Sequence, residues 1–184
     1  MPNHVTNILK VRGHKEKVVD FFKKTQTEKF LFDFNTIVPM PDYVERGNVG
    51  LDWKPSGKYT TNWYNWCPIH WGTKWNAYDC YKSRYIDTKN YKLKIAEWTI
   101  VFDTARSTPF PIWEALALQY PDLTFDIQYA DEDIGYNCGT IKIENWKIDR
   151  VSRTHDISFA KRVKKRSKWN VIDPWIIDIS DTKN

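Results

Sequence analysis

A chain of 184 residues, 41% apolar with a net charge of +5, is long enough for one packed domain and too apolar to be disordered. It contains no run of about 20 apolar residues, so no membrane span is expected, and its start, Met-Pro-Asn-His-Val-Thr-Asn, lacks the pattern of a secretion signal. Three cysteines, Cys67, Cys80 and Cys138, with no CxxC pair, argue against a disulfide framework or an iron–sulfur cluster and for a reducing, cytoplasmic setting.

His4 to Arg12 reads as a strand, with Val5, Leu9 and Val11 on one face and Asn7 among them. Gly13 ends it. Lys15 to Lys24 reads as a helix, because Val18, Val19 and Phe22 form an apolar stripe beside lysines. Phe30, Phe32 and Phe34 alternate with Leu31, Asp33 and Asn35, the period of a second strand, which Pro39 and Pro41 stop. Residues 42 to 80 keep no single period. A short helix is expected near Pro41 to Glu45, and the region reads as a long insertion, bounded at about 42–90. A loop of that length in a small domain is often functional.

Regular patterning returns at Lys92 to Asp103. Leu93 and Ile95 share one parity and Trp98, Ile100 and Phe102 the other, which predicts a β-bulge near Ala96–Glu97. Thr108 is placed to cap a helix that has Pro109 at its first position and a stripe of Ile112, Trp113, Leu116 and Tyr120. Pro121 ends that helix. Leu123, Phe125, Ile127 and Tyr129 alternate with polar residues as a strand, Asp131 to Asp133 turn it, and Ile134 to Ile148 supplies one or two more strands with a bend at Cys138–Gly139. The order is β-α-β, insertion, β-α-β-β. It predicts an α+β, ferredoxin-like split βαβ sandwich over residues 1–150, an antiparallel sheet with two helices on one face.

Residues 151–184 read as a basic extension, packed on the domain or trailing from it. Lys161, Arg162, Lys164, Lys165, Arg166 and Lys168 form a basic run ending at Trp169. Val171, Trp175, Ile176, Ile177 and Ile179 follow as a final strand or a docked extension. Lys161, Arg162, Lys165 and Arg166 are candidates to contact phosphates; a solvated face is the competing account.

Four stretches resemble the YubB ferredoxin-like family of phage and plasmid proteins. They are Pro2-Asn3-His4-Val5-Thr6-Asn7, the run from Phe32 to Pro41, Trp71-Gly72-Thr73-Lys74-Trp75-Asn76-Ala77-Tyr78-Asp79, and Phe102-Asp103-Thr104-Ala105 with Pro109 and Pro111. With Tyr129 to Glu132 they span about residues 2–144. The resemblance implies a ferredoxin-like fold and a mobile-element origin, and it implies no reaction. Arg106-Ser107-Thr108-Pro109 departs from the Ser-Pro common in the family before the second helix.

Aromatic residues make up 16% of the chain, with ten Trp and ten Tyr, and they are densest at Trp63 to Trp75. Trp66, His70, Trp71, Lys74, Trp75 and Asn76 form the candidate ligand site. Indole faces can stack a base, and a cation with amide donors can hold its phosphate. The alternative is that the indoles pin the insertion to the sheet while Asn76 and Asp79 serve turns. Cys67, His70, Asp79 and Cys80 have zinc-binding side chains without a recognised zinc spacing, and Cys67 with His70 lacks a third group to orient a nucleophile, so neither a metal nor a catalytic residue is assigned. Asp131, Glu132 and Asp133, with Asp103 and Asp126, read as turn and surface carboxylates ahead of acid–base or metal chemistry. The expected function is a non-enzymatic accessory binding protein of a phage or plasmid in the host cytoplasm. It would capture an anionic nucleotide or nucleic acid without a cofactor, in the service of counter-defence. A protein–protein inhibitor of a host enzyme is the alternative, and a metal-assisted hydrolase ranks third.

Overall fold

The computed structural model describes residues 2–50, 52–87 and 94–167. Along the chain run β1 (His4–His14), α1 (Lys15–Thr25), α2 (Phe34–Ile37), β2 (Val44–Glu45), β3 (Thr61–Asn62), α3 (Trp63–His70), β4 (Tyr78–Asp87), β5 (Ile95–Ala105), α4 (Phe110–Gln119), β6 (Thr124–Asp131), β7 (Cys138–Glu144), β8 (Lys147–Ser152) and α5 (Ile157–Ser167). Six strands form one antiparallel sheet in the order β4-β5-β1-β6-β7-β8. The first four, with α1 following β1 and α4 following β5, make the ferredoxin-like βαββαβ order. β7 and β8 widen the sheet beyond β6.

The second strand of that core is β4, not Phe30 to Asn35. Phe32 and Phe34 are fully buried, as a strand period would have them, but Asp33 folds the backbone differently. Its carboxylate accepts from the Asn35 amide at 2.9 Å and caps the short helix α2. This local capping bond outcompetes strand pairing. β4 was hidden because its Tyr78, Cys80, Tyr81, Tyr85 and Ile86 keep no single parity and are interrupted by Asp79, Lys82, Ser83 and Arg84, as befits a sheet edge. The region read as insertion thus contains a core strand. The helix expected near Pro41 to Glu45 is absent; Val44 and Glu45 pair in parallel with Thr61 and Asn62.

The register of β1 on β5 is unbroken from His4 opposite Ala105 to His14 opposite Ile95, so β5 has no bulge at Ala96–Glu97. Its parity changes because both faces are covered. Ala96, Trp98, Ile100 and Phe102 meet α1 and α4, while Val101 meets α5. The irregularity lies in β4, between Tyr78 and Lys82, where Asp79 takes φ +47°. Leu93 lies outside the described residues.

One core forms where Val18, Phe21 and Phe22 of α1 and Ile112, Trp113 and Leu116 of α4 pack on Leu9, Ile100, Phe102, Phe125 and Ile127. The two helices do share one face, as expected. The other face is covered too. Phe159, Ala160 and Val163 of α5 pack on Ile8, Val101, Ala130 and Cys138. The basic run is therefore one side of an amphipathic helix whose apolar side closes the sheet.

A polar network lies inside the main core. Asn7 is fully buried and donates to the Val5 carbonyl at 3.0 Å and to Thr104 Oγ1 at 2.8 Å. Thr108 donates to Asn7 Oδ1 at 2.7 Å and accepts from Trp113 Nε1 at 3.0 Å. Thr108 therefore does not cap α4, whose N-cap position is Pro109. Its hydroxyl ties β1 to α4. Thr108→Val should leave both Asn7 Oδ1 and the Trp113 indole N–H unpaired and cost about 1–3 kcal/mol. Urea unfolding should show this as a lower midpoint with an unchanged slope.

Candidate functional site

The segment Trp71 to Ala77 is fastened at nearly every second residue. The Trp71 indole is buried and donates to the Val38 carbonyl at 2.9 Å. Gly72 has φ +73°, and a Cβ there would sit 2.5 Å from Pro111 Cδ at the start of α4, so only glycine fits. Ser107 donates to the Gly72 carbonyl. Thr73 is buried and grips the end of β5 twice, donating to the Ala105 carbonyl at 2.8 Å and accepting from the Ala105 amide at 3.1 Å. Asn76 Oδ1 accepts from the amides of Phe34 and Ala77, both at 2.9 Å, and its Nδ2 donates to Asp33 at 2.7 Å. Lys74 and Trp75 sit between these anchors and are half-buried. The Lys74 ammonium stands 5.0 Å from the Tyr64 ring centre and 4.9 Å from that of Trp75.

This segment walls a cleft of about 770 Å³, within the usual range for a ligand site. Phe30, Trp63, Trp75 and Tyr78 supply aromatic lining, and Lys29, Arg46 and Lys74 supply cations. Asp33 is the one acidic side chain in the lining, and its carboxylate is occupied by Asn35, Asn76 and Thr27. The net field in the cleft is therefore positive. The Arg46 guanidinium donates to the Met40 carbonyl and lies 3.9 Å from the fully solvated Asp42 carboxylate, a weak pair. Lys74 has no carboxylate partner among the described residues.

Of the six residues expected to bind ligand, Trp71, Lys74, Trp75 and Asn76 line the cleft; Trp66 and His70 do not. Trp66 is buried, and exposed His70 stacks on its ring at 4.3 Å. Both belong to the packing of α3 against the core. Asn76 lines the cleft with its hydrogen bonds already committed, so it is a wall and not a ready donor. Trp63, which the sequence places in the aromatic cluster but not among the candidate ligand residues, lines the cleft too; Tyr78, Lys29 and Arg46 were missed. Tyr78 stood inside the quoted motif, but Lys29 and Arg46 lie 45 and 28 residues before Lys74 and gave no local signal.

Cys67 borders the cleft, but burial pushes its thiol up to about 12, and burial holds Cys80 at about 11. Neither is a nucleophile at neutral pH. No cluster of three metal-ligating side chains occurs among the described residues. Asp131 is buried at its turn and accepts from Asn3, Asn137 and the Asp133 amide, while Glu132 and Asp133 are exposed. Burial raises the Asp103 carboxyl above its usual value. Lys161, Arg162 and Lys165 lie on the exposed side of α5, away from the cleft lining. Arg166 belongs to α5, but its side chain is outside the described residues, as are Lys168, Trp169 and the rest of the tail. No described helix is long and apolar enough to cross a membrane.

Residues 70–158, just under half of the chain, match a family model described as "Ferredoxin-like domain in Api92-like protein". The match begins at the end of α3, takes in the Trp71 to Ala77 segment and runs through β8 into α5. No curated protein and no solved structure matches the chain. The match supports a ferredoxin-like family, and its description names no reaction.

The anchor pattern predicts opposite behaviour for two neighbouring indoles. Trp71→Ala should cost about 3–5 kcal/mol, because it empties a buried site and orphans the Val38 carbonyl. Trp75→Ala should cost less than about 1 kcal/mol. Thermal melts of the two variants check this. In the native protein at about pH 8, Cys67 and Cys80 should resist iodoacetamide and become alkylated once urea unfolds the chain, since only about one thiol in a thousand or fewer is ionised at those values.

Proposed function

We propose that the ferredoxin-like domain captures an anionic ligand, a nucleotide or a short stretch of nucleic acid, in the cleft beside the Trp71 to Ala77 segment. The observation that carries this is the Lys74 ammonium, held against two aromatic rings at 5.0 and 4.9 Å, with no carboxylate partner among the described residues. A lysine placed in this way offers a charge to a guest, and Trp63, Trp75 and Tyr78 offer flat faces for a base. Lys29 and Arg46 add to the positive field. The thiol in the described lining, Cys67, is kept protonated by burial, and the reading is one of binding. The resemblance to YubB-type proteins adds a mobile-element setting in which such capture would blunt a host defence. That addition rests on the resemblance alone, and expression of the chain in a defended host, scored by restored infection, tests it.

Tryptophan fluorescence titrated with mononucleotides and short single strands tests the capture itself. Lys74→Ala and Trp75→Ala should each weaken binding about tenfold or more, as expected for a lost charge contact and a lost stacking face. Their melting temperatures should stay close to that of the parent. Affinity should also fall as salt rises. Equal affinity of both variants and the parent would remove the proposal, as would an affinity indifferent to salt.

A further inference from the structure

Lys74 also lines a second cleft, of about 520 Å³, together with Pro2, Asn3, Arg106 and Asp131. Among the described residues its lining holds two cations, an amide and a buried carboxylate, and no aromatic ring. The Asp131 carboxylate accepts from Asn3 Nδ2 at 3.1 Å, Asn137 Nδ2 at 2.9 Å and the Asp133 amide at 3.0 Å. These three uncharged donors engage both its oxygens and leave its charge in place, so the two cations Lys74 and Arg106 stand against one carboxylate in this lining.

Arg106 sits there at a conformational cost. Its φ is +79°, a region that glycine enters freely and arginine does not. The position is locked on both sides: the Arg106 amide donates to the Asn3 carbonyl at 2.9 Å, and Asn137 Nδ2 donates to the Arg106 carbonyl at 3.1 Å. Its guanidinium reaches the Tyr64 hydroxyl at 3.5 Å, so Lys74 and Arg106 both sit on one tyrosine. No carboxylate pairs with Arg106 among the described residues. A cation kept in a strained backbone position, beside a second cation and facing a polar hollow, fits an anion better than it fits a turn.

Resting on the reading of the aromatic cleft as a base and phosphate site, we infer that the ligand carries a second consecutive phosphate. The first lies at Lys74, and the next occupies the polar cleft against Arg106. Two sources supply that chemistry, the phosphate chain of a nucleoside diphosphate and the backbone of a strand.

Titration calorimetry of the full chain with AMP, ADP and the 5′-phosphorylated dinucleotide pApA tests this. ADP, pApA or both should bind about tenfold more tightly than AMP, the gain of one added charge-assisted contact. A gain with ADP alone assigns the phosphate chain, and a gain with pApA assigns the strand. Arg106→Gln and Arg106→Gly should both erase the gain and leave AMP affinity within about twofold. Arg106→Gly relieves the positive φ and should melt no lower than the parent, so its loss of affinity is not unfolding. Equal binding of the three probes overturns the inference and leaves the aromatic cleft standing, as does a gain that survives both variants. Failure of all three probes to bind overturns both.

Discussion

The candidate site depends on the double hydrogen bond between Thr73 and Ala105. It fixes the segment leading into β4 against the last residue of β5, an interior strand of the sheet with β1 on one side and β4 on the other. The buried Thr73 side chain satisfies both a donor and an acceptor of the strand end that would otherwise be costly to leave unpaired. From that fixed point the Lys74 amide also bonds to the Ala105 carbonyl at 3.3 Å. The backbone that carries the lysine is therefore part of the sheet's edge, and a charge placed on it inherits the sheet's rigidity.

The same economy explains the order of residues in Trp71-Gly72-Thr73-Lys74-Trp75-Asn76. Trp71, Gly72, Thr73 and Asn76 each answer a local requirement: a buried indole, a close approach to Pro111, a strand-end clamp and a cap for the backbone of α2. Lys74 and Trp75 answer none of these. Their side chains meet Tyr64, Tyr78 and each other beside the cleft instead, the placement expected if positions are held for a guest. Pre-ordering also matters for affinity, because a lysine and an indole already held in place lose little freedom on binding.

The sequence carried the fold's class well because β1, α1, α4 and β6 bury single faces, and a single buried face leaves a clear period. It failed where burial was absent or double. The apolar residues of the edge strand β4 keep no single parity, and β5, covered on both faces, showed two parities that looked like a bulge. Phe32 and Phe34 failed for another reason: two rings two apart can enter a core from a capped turn as easily as from a strand. In the site, the contiguous motif was legible, but which indoles are walls and which are surface was not. Trp66 is buried against Trp71, while Trp75 meets Lys74 and Tyr78 at the cleft, and composition carries no trace of that difference. Lys29 and Arg46 reach the cleft through the long connection between α1 and α3, a proximity that only the folded chain creates.

Placing the cleft at the end of β5 has one further consequence. In this topology the chain leaves β5 through Ala105, Arg106 and Ser107 and enters α4 under Thr108, whose hydroxyl is bound to buried Asn7 in the centre of the sheet. Arg106 is thus two residues from a core hydrogen-bond network and one residue from the clamp on Thr73. Its backbone cannot relax toward an ordinary φ without loosening one or the other. The strained Arg106 and the Lys74 beside it are set by the same junction, where the sheet, α4 and the cleft wall meet within five residues of chain. A guest that touches both cations would engage backbone anchored on Asn3, Asn137 and Ala105, which has little freedom left to lose.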